Sequence, residues 1–130
     1  MGNVVKIDEF EKAIDTLKSA LGFAEQLKND ETHFKIVRDA CIQRFEYCIE
    51  LAWKTSMKKL GSQTKFAKPA IREMARADLI ESAELWLDFI EARNNSSHSY
   101  EEEVAKSVFT HILQFKPEAE KLLASLKKLP

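Results

Sequence analysis

A chain of 130 residues with 45% hydrophobic side chains, eight Phe, two Trp and two Tyr is near the usual size of one domain, and one domain over 1–130 is expected. Twenty basic residues against twenty-one acidic ones leave a net charge of −1, which excludes a dedicated nucleic-acid coat protein but leaves room for a small basic patch. Three Gly and three Pro are too few for the turns of an all-β fold.

Helical periodicity runs through the whole chain. Asp8 is placed to cap a first helix whose buried stripe is Phe10, Ile14, Leu17, Leu21 and Ala24, at steps of four and three. The polar cluster from Lys28 to Thr32 ends it, with Asp30 or Thr32 as the next cap. A second helix, from about Phe34 to Leu60, carries two stripes: Phe34, Val37, Cys41, Phe45, Cys48 and Ala52, then Ile42, Ile49, Trp53, Met57 and Leu60. An apolar arc that wide needs several neighbours or a second subunit. Gly61 is the natural residue just past its end.

Pro69 suits the first position of a third helix, with Ile71, Met74, Ala75 and Leu79 inward. A break from Asp78 to Ser82 leads to a fourth, built on Leu85, Trp86, Phe89 and Ile90. The run from Arg93 to Ser99 is rich in cap and turn residues, so the helix should loosen there. Ser99 and Glu102 fit a capping box. The last helix uses Val104, Val108, Ile112 and Phe115, with a bend at Pro117, then Leu122, Leu123 and Leu126. The expected architecture is all-α: an antiparallel up-and-down bundle of four to five helices.

No stretch reaches the ~18 apolar residues of a membrane span, and the charged N-terminus is unlike a signal peptide, so a cytoplasmic location is expected. Cys41 and Cys48 lie within the helical pattern and read as small buried hydrophobes rather than metal ligands. No metal-ligating spacing and no cofactor motif occurs. His33, near a helix start, and His111, in an apolar stretch, read as structural or solvated.

Arg93 to Tyr100 is where chemistry is concentrated. A guanidinium, small polar residues, an imidazole and a phenol fall within eight positions. RNA cleavage through the ribose 2′-OH needs a base, an acid and a fixed cation at phosphorus. His titrates near neutrality and serves either proton-transfer role. Arg matches two phosphate oxygens. Residues five apart do not share a face of a regular helix, but the Asn-Ser stretch can break it and let Arg93 and His98 converge. The plainer alternative is a solvated Arg beside a His that complements a helix C-terminus. Glu46, Glu50 and Lys54, at i, i+4 and i+8, read as a solvated ion-pair row or as a polar strip facing a cleft or partner.

Arg93-X4-His98-Ser99-Tyr100 resembles the Arg-X4-His-X-Tyr signature of HEPN toxins of the HepT type, and the approach from Trp86 to Asn94 is similar to that family's. Arg44-Phe45-Glu46-Tyr47 with Glu50-Leu51-Ala52-Trp53-Lys54 resembles the block of the nucleotidyltransferase substrate-binding branch. Lys68-Pro69, Ile71-Arg72-Glu73 and Ala77-Asp78-Leu79-Ile80 are similar to its third helix. The resemblance covers about residues 34–125; before that only an amphipathic helix is shared.

The resemblance implies a ribonuclease centre of Arg93 and His98, with Asn94 orienting the phosphate or His98. It implies Tyr100 as acceptor of AMP from a cognate minimal nucleotidyltransferase that acts as antitoxin. Two functions of different class follow. One is a metal-independent endoribonuclease, the toxin of a two-gene module. The other is a non-catalytic subunit that docks with or presents substrate to a nucleotidyltransferase. The intact Arg-X4-His pair favours the first, and the near-neutral charge the second. The double stripe and the resemblance both point to a homodimer with two copies of Arg93 and His98 at one cleft.

Overall fold

The computed structural model describes residues 7–130. In chain order the helices are α1 (Asp8–Gln26), α2 (Glu31–Leu60), α3 (Ala67–Arg76), α4 (Ala83–Asn95) and α5 (Glu102–Lys128), with a 3-10 turn, Ser96–His98, between the last two. They form an all-α antiparallel bundle, with no strand among the described residues. No helix there is long and apolar enough to cross a membrane.

The thirty-residue α2 is central and touches α1, α3, α4 and α5. Its buried positions include Cys41, Ile42, Phe45, Cys48, Ile49, Ala52, Trp53 and Met57, drawn from both stripes. Neighbours within the same chain therefore account for the wide apolar arc, which no longer argues for a second subunit. The deepest part of the core is aromatic. Phe115 of α5 packs edge-to-face on Phe45 of α2 (5.1 Å), on Phe89 of α4 (5.4 Å) and on Trp86 of α4 (5.5 Å). Such contacts add about 0.5–1.5 kcal/mol each beyond area burial, and these tie three helices at one point. Burial also pushes the thiol of Cys41 up to about 11 and that of Cys48 up to about 12, so both stay protonated at neutral pH.

The ends of the helices follow local chemistry. Asp30 caps α2, its carboxylate accepting the backbone N–H of His33 at 3.3 Å and holding the imidazole Nδ1 at 2.7 Å. Gly61 closes α2 at φ 67, with the Ser62 N–H donating to the Met57 carbonyl at 2.9 Å. Ser62 and Thr64 hydroxyls then donate to the Glu73 carboxylate, pinning the following loop to α3. Asp78, at φ 59, makes the left-handed turn out of α3, and Ser82 caps α4 by accepting the Leu85 N–H.

Three boundaries differ from expectation. Asp8 is the first residue of α1 rather than its cap; Ile7 holds the cap position without a side-chain bond, and Asp8, Glu9 and Glu11 complement the helix dipole instead. Pro69 is the third residue of α3, where a missing N–H is still harmless because the first turn has no intrahelical acceptor. The capping box at Ser99 does not form: Glu101 precedes α5, Ser99 keeps a right-handed helical conformation, and the Glu102 carboxylate is spent on Arg38.

Candidate functional site

The turn after α4 is built by serines. The Ser96 hydroxyl lies 2.6 Å from the Arg93 carbonyl and also against the Glu46 carboxylate of α2. Ser97 donates to the Asn94 carbonyl at 3.3 Å. Side chains that engage these carbonyls compete with the helical ladder, and the backbone tightens into the 3-10 turn. Ser96 is buried while Ser97 and His98 stay exposed, so Ser96 acts as the peg fixing the turn to α2.

Arg93, the basic residue in the last turn of α4, points toward α2. Its guanidinium is 3.5 Å from the Glu46 carboxylate and about one-third exposed. Arg93 lines a groove of about 420 Å³ with Gln43, Glu46, Tyr47, Glu50 and Lys54. The ion-pair row Glu46–Glu50–Lys54 is not formed within α2. Glu46 turns to Arg93, Glu50 accepts the Trp53 indole N–H at 2.6 Å, and Lys54 lies 5.5 Å from the Trp53 ring.

His98 lies elsewhere. Its Nδ1 is 3.4 Å from the Tyr100 hydroxyl, and Tyr100 is 78% exposed, so imidazole and phenol form an accessible pair at the surface. His98 lines a second concavity, about 350 Å³ between α4 and α5, with Asn95, His111 and the carboxylates of Asp88, Glu91, Glu101 and Glu103. Arg93 and His98 thus line different concavities of one chain. Asn94 is exposed beside Arg93, while Asn95 joins His98. His33 pairs with Asp30, and the Nδ1 of His111 is 2.9 Å from the Ser107 carbonyl. Among the described residues no group of three or more His, Cys, Asp or Glu could hold a metal ion.

Sequence reasoning overlooked one pair. Arg38 of α2 is buried and grips Glu102, at the start of α5, with two parallel hydrogen bonds of 2.7 and 2.9 Å. This holds the Glu102 carboxyl down at about 2. A charged residue between Val37 and Cys41 on a buried stripe was the signal available.

The class is that of an all-helical bundle with Arg93 at the end of α4 and His98 and Tyr100 on the polar turn that follows. The chain belongs to the family described as nucleotidyltransferase substrate binding protein like, whose sequence profile matches residues 5–128. Over 95 residues it is 30% identical to a protein of Haemophilus influenzae named probable ribonuclease HepT. That match takes in 67% of this chain and spans 65% of the relative's length. A solved structure from Haemophilus influenzae, described as the fold of a substrate binding domain of a nucleotidyltransferase, superposes with a TM-score of 0.82 at 23% identity. It covers 95% of this chain and 100% of its own, which establishes the shared fold.

Proposed function

We propose that this protein is a HEPN-type endoribonuclease, the toxin of a two-gene module, silenced by a minimal nucleotidyltransferase partner. The observation that carries this reading is the exposed His98–Tyr100 pair on the turn that follows Arg93, at the end of α4. In the reaction a base takes the proton of the ribose 2′-OH as its oxygen attacks phosphorus, the bond to the 5′-oxygen breaks, and an acid protonates that leaving oxygen. The products are a 2′,3′-cyclic phosphate and a 5′-hydroxyl. His98 transfers protons, Arg93 binds the phosphate oxygens, and Asn94 orients the phosphate.

One chain offers one His98, and its Arg93 lines another concavity. The reading therefore needs a homodimer, in which one His98 serves as base and the other as acid at a shared cleft. Sedimentation of a monomer at micromolar concentration counts against it. The exposed Tyr100 hydroxyl is also open to a partner: attack on the α-phosphorus of ATP forms Tyr-O-AMP and releases pyrophosphate. The added anion next to His98 then competes with the RNA phosphate.

The deciding experiment is RNA cleavage in EDTA by the parent, His98→Ala and Arg93→Ala. His98→Ala should lose ~10²–10⁴-fold in rate. Equal behaviour of all three, or cleavage only with added metal, overturns the reading. The second reading, a non-catalytic docking subunit, is favoured by one observation. Four carboxylates share the concavity of His98 and repel a phosphate. That subunit binds the nucleotidyltransferase and cuts nothing.

A further inference from the structure

On the other side of α5 from the His98 concavity, the connection after α1, the first turns of α2 and the first half of α5 line a second kind of surface. It is a concavity of about 580 Å³, within the range of small-ligand sites. Lys28, Lys35 and Lys106 stand on its rim. Phe34 and Phe109, packed edge-to-face at 5.5 Å and half-buried, form the apolar wall. The geometry points to a binding site for a phosphate group followed by a planar base, as in a nucleotide or a single nucleic-acid strand.

Charge supports this in a chain that is acidic by one unit overall. Four cations line the concavity, Arg38 among them, against only Glu31 and Glu102. Glu102 is already held by both terminal nitrogens of Arg38 and lies 4.0 Å from Lys35, so it competes only weakly for the lysines. Lys35 and Lys106 are engaged only loosely. Lys35 is 3.6 Å from Glu31 and 4.0 Å from Glu102, and Lys106 is 3.8 Å from Glu103. Lys28 meets Glu25 at 2.7 Å, but that pair too is largely exposed. Exposed pairs of this kind contribute little and exchange readily for a doubly charged phosphate. Half-exposed aromatic rings beside such a cluster offer the stacking surface that base-tolerant binding uses.

The site uses neither Arg93 nor His98, so it stands or falls independently of cleavage. The test uses full-length protein and a short fluorescent single-stranded DNA, which lacks the 2′-OH and cannot be cut by the mechanism above. Anisotropy at low salt should show binding. The triple variant Lys28→Gln, Lys35→Gln, Lys106→Gln should bind at least about tenfold more weakly, with a salt slope shallower by about two. A control with the same charge change on exposed lysines elsewhere, Lys12→Gln, Lys18→Gln, Lys121→Gln, should stay within about twofold, because distant exposed charges are screened. Phe34→Leu with Phe109→Leu should cost at least about fivefold through lost stacking. Competition by ATP would identify a free nucleotide as the source of the phosphate, and its absence a strand; either result keeps the site. No binding by the parent, or equal losses in the two lysine triples, overturns the proposal.

Discussion

Two arginine–glutamate pairs join α2 to the last two helices, and they are built differently. Arg38 and Glu102 meet through two hydrogen bonds of 2.7 and 2.9 Å, with the Arg38 side chain 7% exposed. Arg93 and Glu46 meet at 3.5 Å, with both side chains about one-third exposed. The first geometry is that of a bidentate charge-assisted pair; the second is too long for a strong hydrogen bond. Arg38 is therefore committed to holding the start of α5 on α2. Arg93 is held lightly and keeps donors for another anion. The pair that looks strongest is structural, and the weaker pair marks the candidate site.

Substitutions can test that contrast, beginning with the largest effect. Trp53 of α2 is 6% exposed and its indole N–H donates to Glu50, one of the residues lining the Arg93 groove. Trp53→Ala should cost ~3–5 kcal/mol, read from denaturant unfolding, because a bulky buried side chain leaves a cavity. An unchanged midpoint contradicts its place in the core. Arg38→Met should cost about 2–3 kcal/mol, less than the roughly 3–5 kcal/mol of a fully buried pair because Glu102 still reaches water. Adding Glu102→Gln to Arg38→Met should recover part of that loss, since no carboxylate is then left without its partner. If Arg38→Met is as stable as the parent, Arg38 is not a latch.

The same pair predicts a pH dependence. Arg38 holds the folded-state carboxyl of Glu102 at about 2, below its ordinary 4.5. A depressed carboxyl stabilises the fold above the ordinary value, and that contribution is lost as pH falls from about 4.5 toward 2. His33 lowers Asp30, and Thr64 and then Ser62 lower Glu73, in the same direction. Stability of the parent should fall through this acid window, and Glu102→Gln should flatten the curve there. Parallel curves for the two proteins would show that the pair contributes nothing to acid unfolding.

Much of the fold was legible because periodicity and punctuation agree. Phe10 to Ala24, the two stripes of α2, Asp30 and Gly61 all sit where apolar spacing and cap chemistry place them. The boundaries that misled depend on competing partners. Ser99 and Glu102 have capping-box spacing, but spacing alone does not reveal that Glu102 is claimed by Arg38, sixty-four residues away. The candidate site was legible as a list of residues and not as an arrangement. Arg93 and His98 are five apart, and Ser96, pegged to Glu46, turns the backbone so that they line separate concavities. Glu46 was visible as a polar residue of α2, whereas its reach to both Arg93 and Ser96 is a tertiary fact.

The smallest expected stability effect is at Glu46, and it sharpens the contrast furthest. Glu46→Gln removes the charge opposite Arg93 while keeping an oxygen that can accept the Ser96 hydroxyl, so the turn should persist. An exposed ion pair contributes about 0–1 kcal/mol, and the coupling between Glu46→Gln and Arg93→Gln in a double-mutant cycle should fall in that range. The functional effect should run the other way. With the carboxylate gone, the guanidinium loses its ion-pair partner, so RNA affinity should rise a few-fold in Glu46→Gln and fall in Arg93→Gln. Unfolding curves supply the coupling, and filter binding with uncut RNA in the His98→Ala background supplies the affinities. A coupling as large as that between Arg38 and Glu102, or RNA affinity that drops on removing Glu46, would mean that Arg93 is as structural as Arg38 and that the groove is only a joint between helices.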